Sequence, residues 1–301
     1  MTYLIVIPAY NAAATIADVL GQFNGHRERL VVVDDGSTDA TPDIVRRLGG
    51  ELLGHAQNLG VGAALRTGIR YARSCGFDQV ITLDADGQHD PRQVDEFLCA
   101  LASNDLVVGS RFLVEDDAVH DTKLAANLLA ALIVNDAFGV RLTDVACGYR
   151  AFQRPSRMPR PNGWRFLHEH LISSLASGQR VAAVPVPAVY RPSAPWATRA
   201  LEIQGFLAAM LRHSPSGPTA EIERAHRAVR GRRDFIYEVG GQVFHCFYAG
   251  ARDCYLVQTD MEAARAMLSE LRTMSGRPGS QDGAGQAAHG STPAGSPSVP
   301  G

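Results

Sequence analysis

The first 110 residues alternate short apolar runs with segments of helical periodicity, and this alternation limits the fold more than any other feature. The runs YLIVIP, LVVV, ELLGH, QVITL and DLVVGS predict strands, and the segments between them predict helices. Strands that are joined by helices lie parallel, with right-handed crossovers. Helices cover both faces of such a sheet, which explains why its strands are apolar throughout. The sequence therefore predicts an α/β fold.

Polar and acidic residues follow four of these strands directly. PAYN begins at Pro8, DDGSTD at Asp34 and DADGQHD at Asp84, and GSR ends at Arg111. In an open α/β sheet, ligands bind beyond the carboxyl ends of the strands, where these four segments would meet. Their convergence at one edge predicts a binding site there.

Asp84 and Asp86 are the candidates for a metal site. Residues i and i+2 of an extended segment point the same way, so both carboxylates would face one site. Mg²⁺ and Mn²⁺ bind one or two carboxylates together with substrate phosphates. The alternative is a turn or capping cluster, because Asp is common in turns. Asp35 has a similar pair of interpretations, as an acceptor for a nucleobase edge or as part of a strand–turn–helix junction.

The composition argues against several other classes of protein. A net charge of -2 over 301 residues gives no reason to expect nucleic acid as a partner. The five cysteines include no CxxC pair, which is typical of reduced thiols in a cytosolic protein. The N-terminal MTYLIVIPAY lacks the basic start of a signal peptide, and no apolar run is long enough to span a bilayer. We therefore expect a cytoplasmic protein.

A small α+β accessory domain is predicted for residues 219–274. The runs DFIYEV and QVFHCFY flank Gly240 and Gly241 and predict a hairpin, DCYLVQ a further strand and MEAARAMLSELR a helix. We expect this unit to contact a second copy or a partner protein rather than to form a second active site. Residues 275–301 are rich in Gly, Ser, Pro, Ala and Gln, and we expect them to be disordered.

Together these motifs resemble family 2 glycosyltransferases with the GT-A fold, in particular the dolichyl-phosphate mannose synthase-like branch. The resemblance is carried by IVIPAYN, VVVDDGSTDAT, LDADGQHDP, VVGSRF, CGYRAF and VPVPAVYRP, in family order and spacing. It implies a GT-A domain over residues 1–213, with a Rossmann-like, mainly parallel sheet flanked by helices. It also implies inverting transfer of a sugar from a UDP- or GDP-linked donor, with Mg²⁺ or Mn²⁺ as cofactor. The acceptor implied by this branch is a polyprenyl phosphate at the inner membrane face.

The same resemblance implies roles for individual residues. The nucleoside pocket would be lined by Pro8, Ala9, Tyr10 and Asp35. The donor would be held by Asp84, Ala85 and Asp86, and the metal by Asp86, Gln88 and Asp84. Arg111 and Lys123 would face phosphate oxygens. A lipid phosphate acceptor is already ionised and needs no base, whereas a hydroxyl acceptor would give its proton to Asp144 or, as second candidate, to Glu169.

Three departures from the family pattern concern substrate choice. Ala12 and Ala13 replace acidic residues, Val61 replaces a lysine, and SAPWATRA follows YRP where an arginine-rich loop is expected. A non-catalytic sugar-nucleotide-binding protein with a decayed acceptor site therefore stays as an alternative. The processive QxxRW motif is absent from the sequence, so we expect single transfers.

The apolar segment 124–138 has two interpretations. It is either a core helix or dimer face, or a surface helix that dips into a bilayer to meet a polyprenyl-phosphate acceptor. Its lack of a Lys/Arg-rich polar face favours the first interpretation.

Overall fold

The computed structural model describes residues 1–23, 25–113, 121–153, 159–187, 189, 198–217 and 219–275. The predictions for the tail at 276–301 and for the segment after YRP, at 193–197, lie outside these residues. Among the helices that are described, none is long and apolar enough to cross a membrane.

A seven-stranded sheet forms the centre of the larger part of the chain. Its strands are β1 (Tyr3–Ala9), β2 (Leu30–Asp34), β3 (Glu51–Gly54), β4 (Gln79–Thr82), β5 (Leu106–Ser110), β6 (Arg150–Gln153) and β7 (Val181–Pro185). They lie in the order β3-β2-β1-β4-β6-β5-β7. All neighbours pair in parallel except β6, which is antiparallel to both β4 and β5. The predicted mainly parallel α/β sheet is confirmed.

Seven helices of the described chain pack on or beside this sheet. They are α1 (Ile16–Gly21), α2 (Thr41–Arg47), α3 (Val61–Ser74), α4 (Val94–Leu101), α5 (Asp121–Phe138), α6 (Arg165–Ala176) and α7 (Ala200–His213). Helix α3 approaches β1 very closely at Gly68, because a Cβ atom there would lie 2.2 Å from Cγ1 of Val6. Glycine is therefore required at this crossing.

The C-terminal residues form a second, antiparallel sheet. Its strands are β8 (Thr198–Arg199), β9 (Phe235–Val239), β10 (Gln242–Ala249) and β11 (Cys254–Gln258), in the order β8-β11-β10-β9, accompanied by α8 (Ala220–Arg230) and α9 (Met261–Ser275). The predicted hairpin is present. Gly240 and Gly241 have φ angles of 60° and 75°, as a tight hairpin turn with two positive φ values requires.

Helix α5 lies between the two sheets. It contacts β11, β9 and α9 on the C-terminal side and α6 on the other. Eight of its residues are buried, and no apolar side chain of this helix is exposed. The membrane-surface interpretation of this segment is wrong, because protein already covers the apolar residues that a bilayer would have to contact. The core interpretation holds. One continuous hydrophobic core includes residues of α5, β10, β11 and α9, and the division into domains at residues 213 and 219 stays a prediction.

We predict that Gly68→Ala lowers the free energy of unfolding by about 1–3 kcal/mol, because the added methyl group overpacks the contact with Val6. The control is Gly21→Ala, since Gly21 is exposed in α1 and a methyl group added there would meet no neighbouring atom within 4 Å. Urea denaturation should show this control at or slightly above wild-type stability. Equal stability of the two variants would contradict the close α3–β1 contact.

Candidate active site

The carboxyl ends of β1, β2, β4 and β5 lie at one rim of the large sheet. The first three strands are adjacent and parallel, and β5 runs in the same direction because β6 is antiparallel to both β4 and β5. The four segments that sequence analysis singled out therefore emerge on the same side. We call this surface the active-site rim; it is formed by residues 8–13, 34–41, 84–90 and 110–112.

Hydrogen bonds join the first two loops of the active-site rim. Asn11 adopts a positive φ of 50°, its side-chain oxygen accepts the N–H of Thr38 at 2.9 Å, and its own N–H donates to Oγ of Ser37 at 2.9 Å. The backbone N–H groups of Ala12 and Ala13 donate to Oγ1 of Thr41 and to a carboxylate oxygen of Asp39. The two alanines thus contribute through their backbone, a role that is independent of side-chain identity.

Asp35 is buried and already holds three partners. Its carboxylate accepts the N–H groups of Leu59 and Gly60 at 3.0 and 2.7 Å, and Nδ1 of His55 lies 2.6 Å from Oδ1. The neighbouring Asp34 is also buried, yet its Oδ1 atom has no hydrogen-bond partner among the described residues. The pair therefore presents one satisfied carboxylate and one with an unused acceptor.

The acidic loop after β4 concentrates negative charge in a partly buried position. Burial, with the negative charge of Asp86 as the second cause, raises the pKa of Asp84 to about 7. Gly148 leaves room for this carboxylate, because a Cβ atom there would lie 2.8 Å from Oδ2 of Asp84. The Asp84 N–H donates to Nδ1 of His89, and burial lowers the pKa of His89 to about 3, so this imidazole is neutral.

Arg111, which follows the end of β5, and Asp144 form a bidentate ion pair. Nε and one terminal nitrogen of Arg111 lie 2.7 and 3.0 Å from the two carboxylate oxygens of Asp144. The carboxylate also accepts the N–H groups of Arg111 and Ala146, at 3.2 and 3.0 Å. Burial and the charge of Arg111 lower the pKa of Lys123, which lies near the same ion pair. Two cationic side chains are thus held close together at the rim.

Helix α5 positions the segment that carries Asp144. The side chain of Asn127 donates to the carbonyl of Thr143 at 2.6 Å. The side chain of Asn135 donates to the carbonyl of Leu142 at 2.9 Å and accepts the N–H of the same residue at 2.8 Å. The two asparagines are eight residues apart and therefore lie on one face of the helix. The sequence pattern alone gives neither asparagine this role.

Arg150 is a second residue that sequence analysis missed. Its fully buried guanidinium donates to the carbonyl oxygens of Cys147, Leu167 and Val145 at 2.9, 2.7 and 3.2 Å. Burial lowers the pKa of Arg150 to about 10, so the group stays charged at neutral pH. It ties the loop before β6, which includes Gly148, to α6.

Glu169 forms its ion pairs with helix α7 rather than with residues of the active-site rim. Its carboxylate is engaged by Arg212 and, at 2.9 Å, by Nε2 of His213, so it joins α6 to α7. Its assignment as second proton acceptor stays a prediction, as do the roles assigned to Pro8, Ala9, Tyr10 and Gln88. Tyr10 is 47% exposed at the rim, where a planar ligand has access to its ring.

The donor set suits a cation that takes most of its ligands from substrate and solvent. Within the described ranges, no group of three or more His, Cys, Asp or Glu residues is arranged to hold a metal ion. Mg²⁺ and Mn²⁺ do not require such a group, because one or two carboxylates with phosphates and water are sufficient. Asp84 and Asp86 supply that minimum, and the repulsion between them is what a divalent cation would relieve.

A groove of about 600 Å³ lies elsewhere, on the C-terminal sheet, and none of the predicted site residues lines it. The same sheet exposes four apolar side chains, Ile236, Val243, Phe247 and Leu256. The predicted contact of this region with a second copy or a partner stays a prediction.

Comparison with known proteins agrees with the resemblance seen in the motifs. The family model for "Glycosyl transferase family 2" matches residues 4–158. The UDP-N-acetylglucosamine–dolichyl-phosphate N-acetylglucosaminyltransferase of Methanococcus voltae is 30% identical over 213 residues, which cover 62% of this chain and 85% of the relative. The undecaprenyl-phosphate mannosyltransferase of Micrococcus luteus is 28% identical over 206 residues, covering 64% and 85%. Both names fit the predicted branch.

Solved structures support the fold. Glucosyl-3-phosphoglycerate synthase from Mycobacterium tuberculosis, in complex with Mn²⁺, UDP-glucose and phosphoglyceric acid, superposes with a TM-score of 0.55. The match covers 73% of this chain and 81% of that one at 23% sequence identity. A likeness at this level concerns the fold, and it confirms the predicted GT-A architecture.

Arg150→Met should lower the free energy of unfolding by about 3 kcal/mol or more, since it removes the charged donor that three buried carbonyl oxygens share. The control is Arg46→Met, which removes an exposed ion pair with Asp43 and should cost about 0.5 kcal/mol or less. Chemical denaturation of both variants measures the difference. Similar losses in the two variants would show that Arg150 does not hold the loop.

Proposed function

The chain belongs to glycosyl transferase family 2 and transfers a sugar from a nucleotide diphosphate sugar, and we propose that its acceptor is a polyprenyl phosphate. We further propose that the transfer inverts the anomeric centre and uses Mg²⁺ or Mn²⁺ at the acidic loop. The names of the two relatives support a lipid-phosphate acceptor for this chain. On this proposal the enzyme works at the cytoplasmic face of the membrane as a peripheral protein.

The observation that carries the acceptor proposal is the number of hydrogen bonds that the Asp144 carboxylate already accepts. An ionised carboxylate offers about four lone-pair positions, and four donors from Arg111 and Ala146 already bond to this one. Asp144 is therefore poorly placed to take a proton from an acceptor hydroxyl. A phosphate acceptor removes the difficulty, because its attacking oxygen is already ionised and requires no general base.

Asp86 and Asp84 are the residues that would hold the cation, with Gln88 beside them. The backbone N–H of Gln88 donates to Oδ1 of Asp86 at 3.0 Å, which fixes the turn and the direction of that carboxylate. When bound there, a divalent cation supplies positive charge to the diphosphate of the donor. This arrangement is consistent with the minimal donor set at the loop.

The nucleoside would bind at the opposite end of the active-site rim, along residues 8–10 and beside Asp34 and Asp35. Tyr10 offers an exposed ring for stacking, and the buried Oδ1 of Asp34 offers an acceptor without a partner among the described residues. Asp35 supports this pocket by holding the loop at residues 59 and 60.

The transfer itself follows from charge. The acceptor phosphate oxygen forms a bond to the anomeric carbon on the face opposite the leaving group, and the bond from that carbon to the donor's β-phosphate oxygen breaks. The nucleoside diphosphate leaves with the bonding electron pair. Arg111 and Lys123 stabilise the negative charge that develops on it, and Asp144 keeps the guanidinium of Arg111 in a fixed orientation. Such fixed donors need no reorganisation as the charge develops.

Asp86→Asn should reduce sugar transfer by roughly a hundredfold or more, because it removes a negatively charged carboxylate that would bind the divalent cation. The matched control is Asp95→Asn, at an exposed position of α4, which should behave like wild type. The assay measures release of nucleoside diphosphate from UDP-N-acetylglucosamine and from GDP-mannose, with Mn²⁺ and undecaprenyl phosphate in detergent.

Replacing the lipid phosphate by the corresponding alcohol in the same assay tests the acceptor. Transfer to the phosphate and none to the alcohol is the expected result. Transfer to the alcohol would contradict the phosphate-acceptor proposal. Sugar-nucleotide binding without transfer to either lipid would contradict it too, and would revive the alternative of a decayed acceptor site.

A further inference from the structure

We propose that Arg272, on the C-terminal helix α9, is a positioning residue for Arg111, so that the C-terminal residues help to build the phosphate site. This inference rests on the proposed function, because it assumes that Arg111 binds the donor's diphosphate. It assigns a role in catalysis to residues far outside the segment 4–158 that the family model matches.

The first observation is a hydrogen bond between α9 and the active-site rim. Nε of Arg272 donates to the carbonyl oxygen of Phe112 at 2.7 Å, in a partly buried position. Phe112 directly follows Arg111, its side chain is 2% exposed, and the Arg111 guanidinium lies 5.7 Å from the centre of its ring. A shift of the Phe112 peptide would therefore move both the backbone and the packing surface of Arg111.

A second contact from the same helix reaches the start of α5. The Arg265 guanidinium lies 2.8 Å from a carboxylate oxygen of Asp121, two residues before Lys123. Arg265 and Arg272 are seven residues apart, close to two helical turns, so they project from one face of α9. That face also carries Leu268, which is 2% exposed. One rigid helix thus contacts the segments of both cationic side chains.

The third observation concerns α5 itself. The C-terminal sheet and α9 cover one side of α5, and on another side Asn127 and Asn135 hold the segment 142–145. Asp144 lies in that segment and forms the ion pair with Arg111. The C-terminal residues therefore contact the surroundings of the phosphate site at Phe112, at Asp121 in the first turn of α5, and along the buried side of α5.

The position of Arg272 predicts that its loss affects catalysis more than the stability of the fold. Buried side chains such as Leu268 also hold α9 against the core, so loss of the bond between Arg272 and the Phe112 carbonyl should leave the fold intact. A displacement of about 1 Å in a group that orients the substrate, in contrast, costs about a hundredfold in rate. Loss of the Arg272 contact should therefore weaken donor binding and turnover much more than folding.

The first test compares Arg272→Met, Arg272→Lys and Arg230→Met in the full-length chain. Arg230 is an exposed residue of α8 and serves as the control. Titration calorimetry with UDP and with GDP, each with Mn²⁺, measures affinity, and the transfer assay gives KM and kcat. We expect Arg272→Met to weaken nucleotide affinity and to lower kcat/KM for the donor by about 10- to 100-fold. Arg272→Lys should restore part of the loss, and Arg230→Met should match wild type.

The second test is a double-mutant cycle with Arg111→Ala, measured on nucleotide affinity. If Arg272 acts through Arg111, adding Arg272→Met to Arg111→Ala should change affinity less than about twofold. The inference would be overturned if the two substitutions reduced nucleotide affinity by independent, multiplying factors. It would also be overturned if Arg272→Met bound nucleotide as well as Arg230→Met does. A fall in thermal stability that accounts for the whole loss and that Arg272→Lys repairs equally would overturn it too.

The outcomes separate the two proposals. A wild-type protein that binds nucleotide but transfers no sugar, with the coupling between Arg272 and Arg111 intact, contradicts the proposed function and supports the positioning role. A wild-type protein that transfers sugar, with no coupling, supports the proposed function and overturns the positioning role. Absence of nucleotide binding by wild type would contradict both.

Discussion

The accumulation of negative charge where β4 ends is the constraint on which the rest of this structure depends. Asp84 and Asp86 are two residues apart, and burial with their mutual repulsion raises the pKa of Asp84 to about 7. Arg111 lies within electrostatic range of Asp84, but Asp144 already engages its guanidinium. The protein therefore neutralises its acidic loop only in part. A divalent cation together with a diphosphate would complete the charge balance, and this is the combination that the proposed transfer would use at this rim.

Hydrogen bonds to backbone groups keep the loops around this charge in place. Asn11 joins the first two loops of the rim, Asn127 and Asn135 hold the segment of Asp144, and Arg150 binds three carbonyl oxygens behind Gly148. The C-terminal sheet and α9 extend the same principle, because they fix α5 and the carbonyl of Phe112 from outside the family segment.

The sequence predicts the sheet, the rim and the family, because these depend on local periodicity and on motifs at strand ends. It does not predict that the strand beginning at Arg150 inserts antiparallel between β4 and β5, since that pairing joins residues about seventy positions apart in the chain. It also misses Asn127, whose partner lies in another segment, and Arg272, whose partner is 160 residues away. Such long-range polar contacts leave no periodic signal. The apolar α5 illustrates the same limit, because only the fold decides whether protein or lipid covers it.

Crystals of the protein grown with Mn²⁺ and either UDP or GDP, and recorded at a wavelength where manganese scatters anomalously, test the charge argument most directly. We expect an anomalous peak within bonding distance of a carboxylate oxygen of Asp86, with diphosphate oxygens on the same ion and the guanidinium of Arg111 facing the diphosphate. A nucleotide bound away from the sheet's carboxyl edge, or bound at that edge with no manganese beside Asp86, would contradict it.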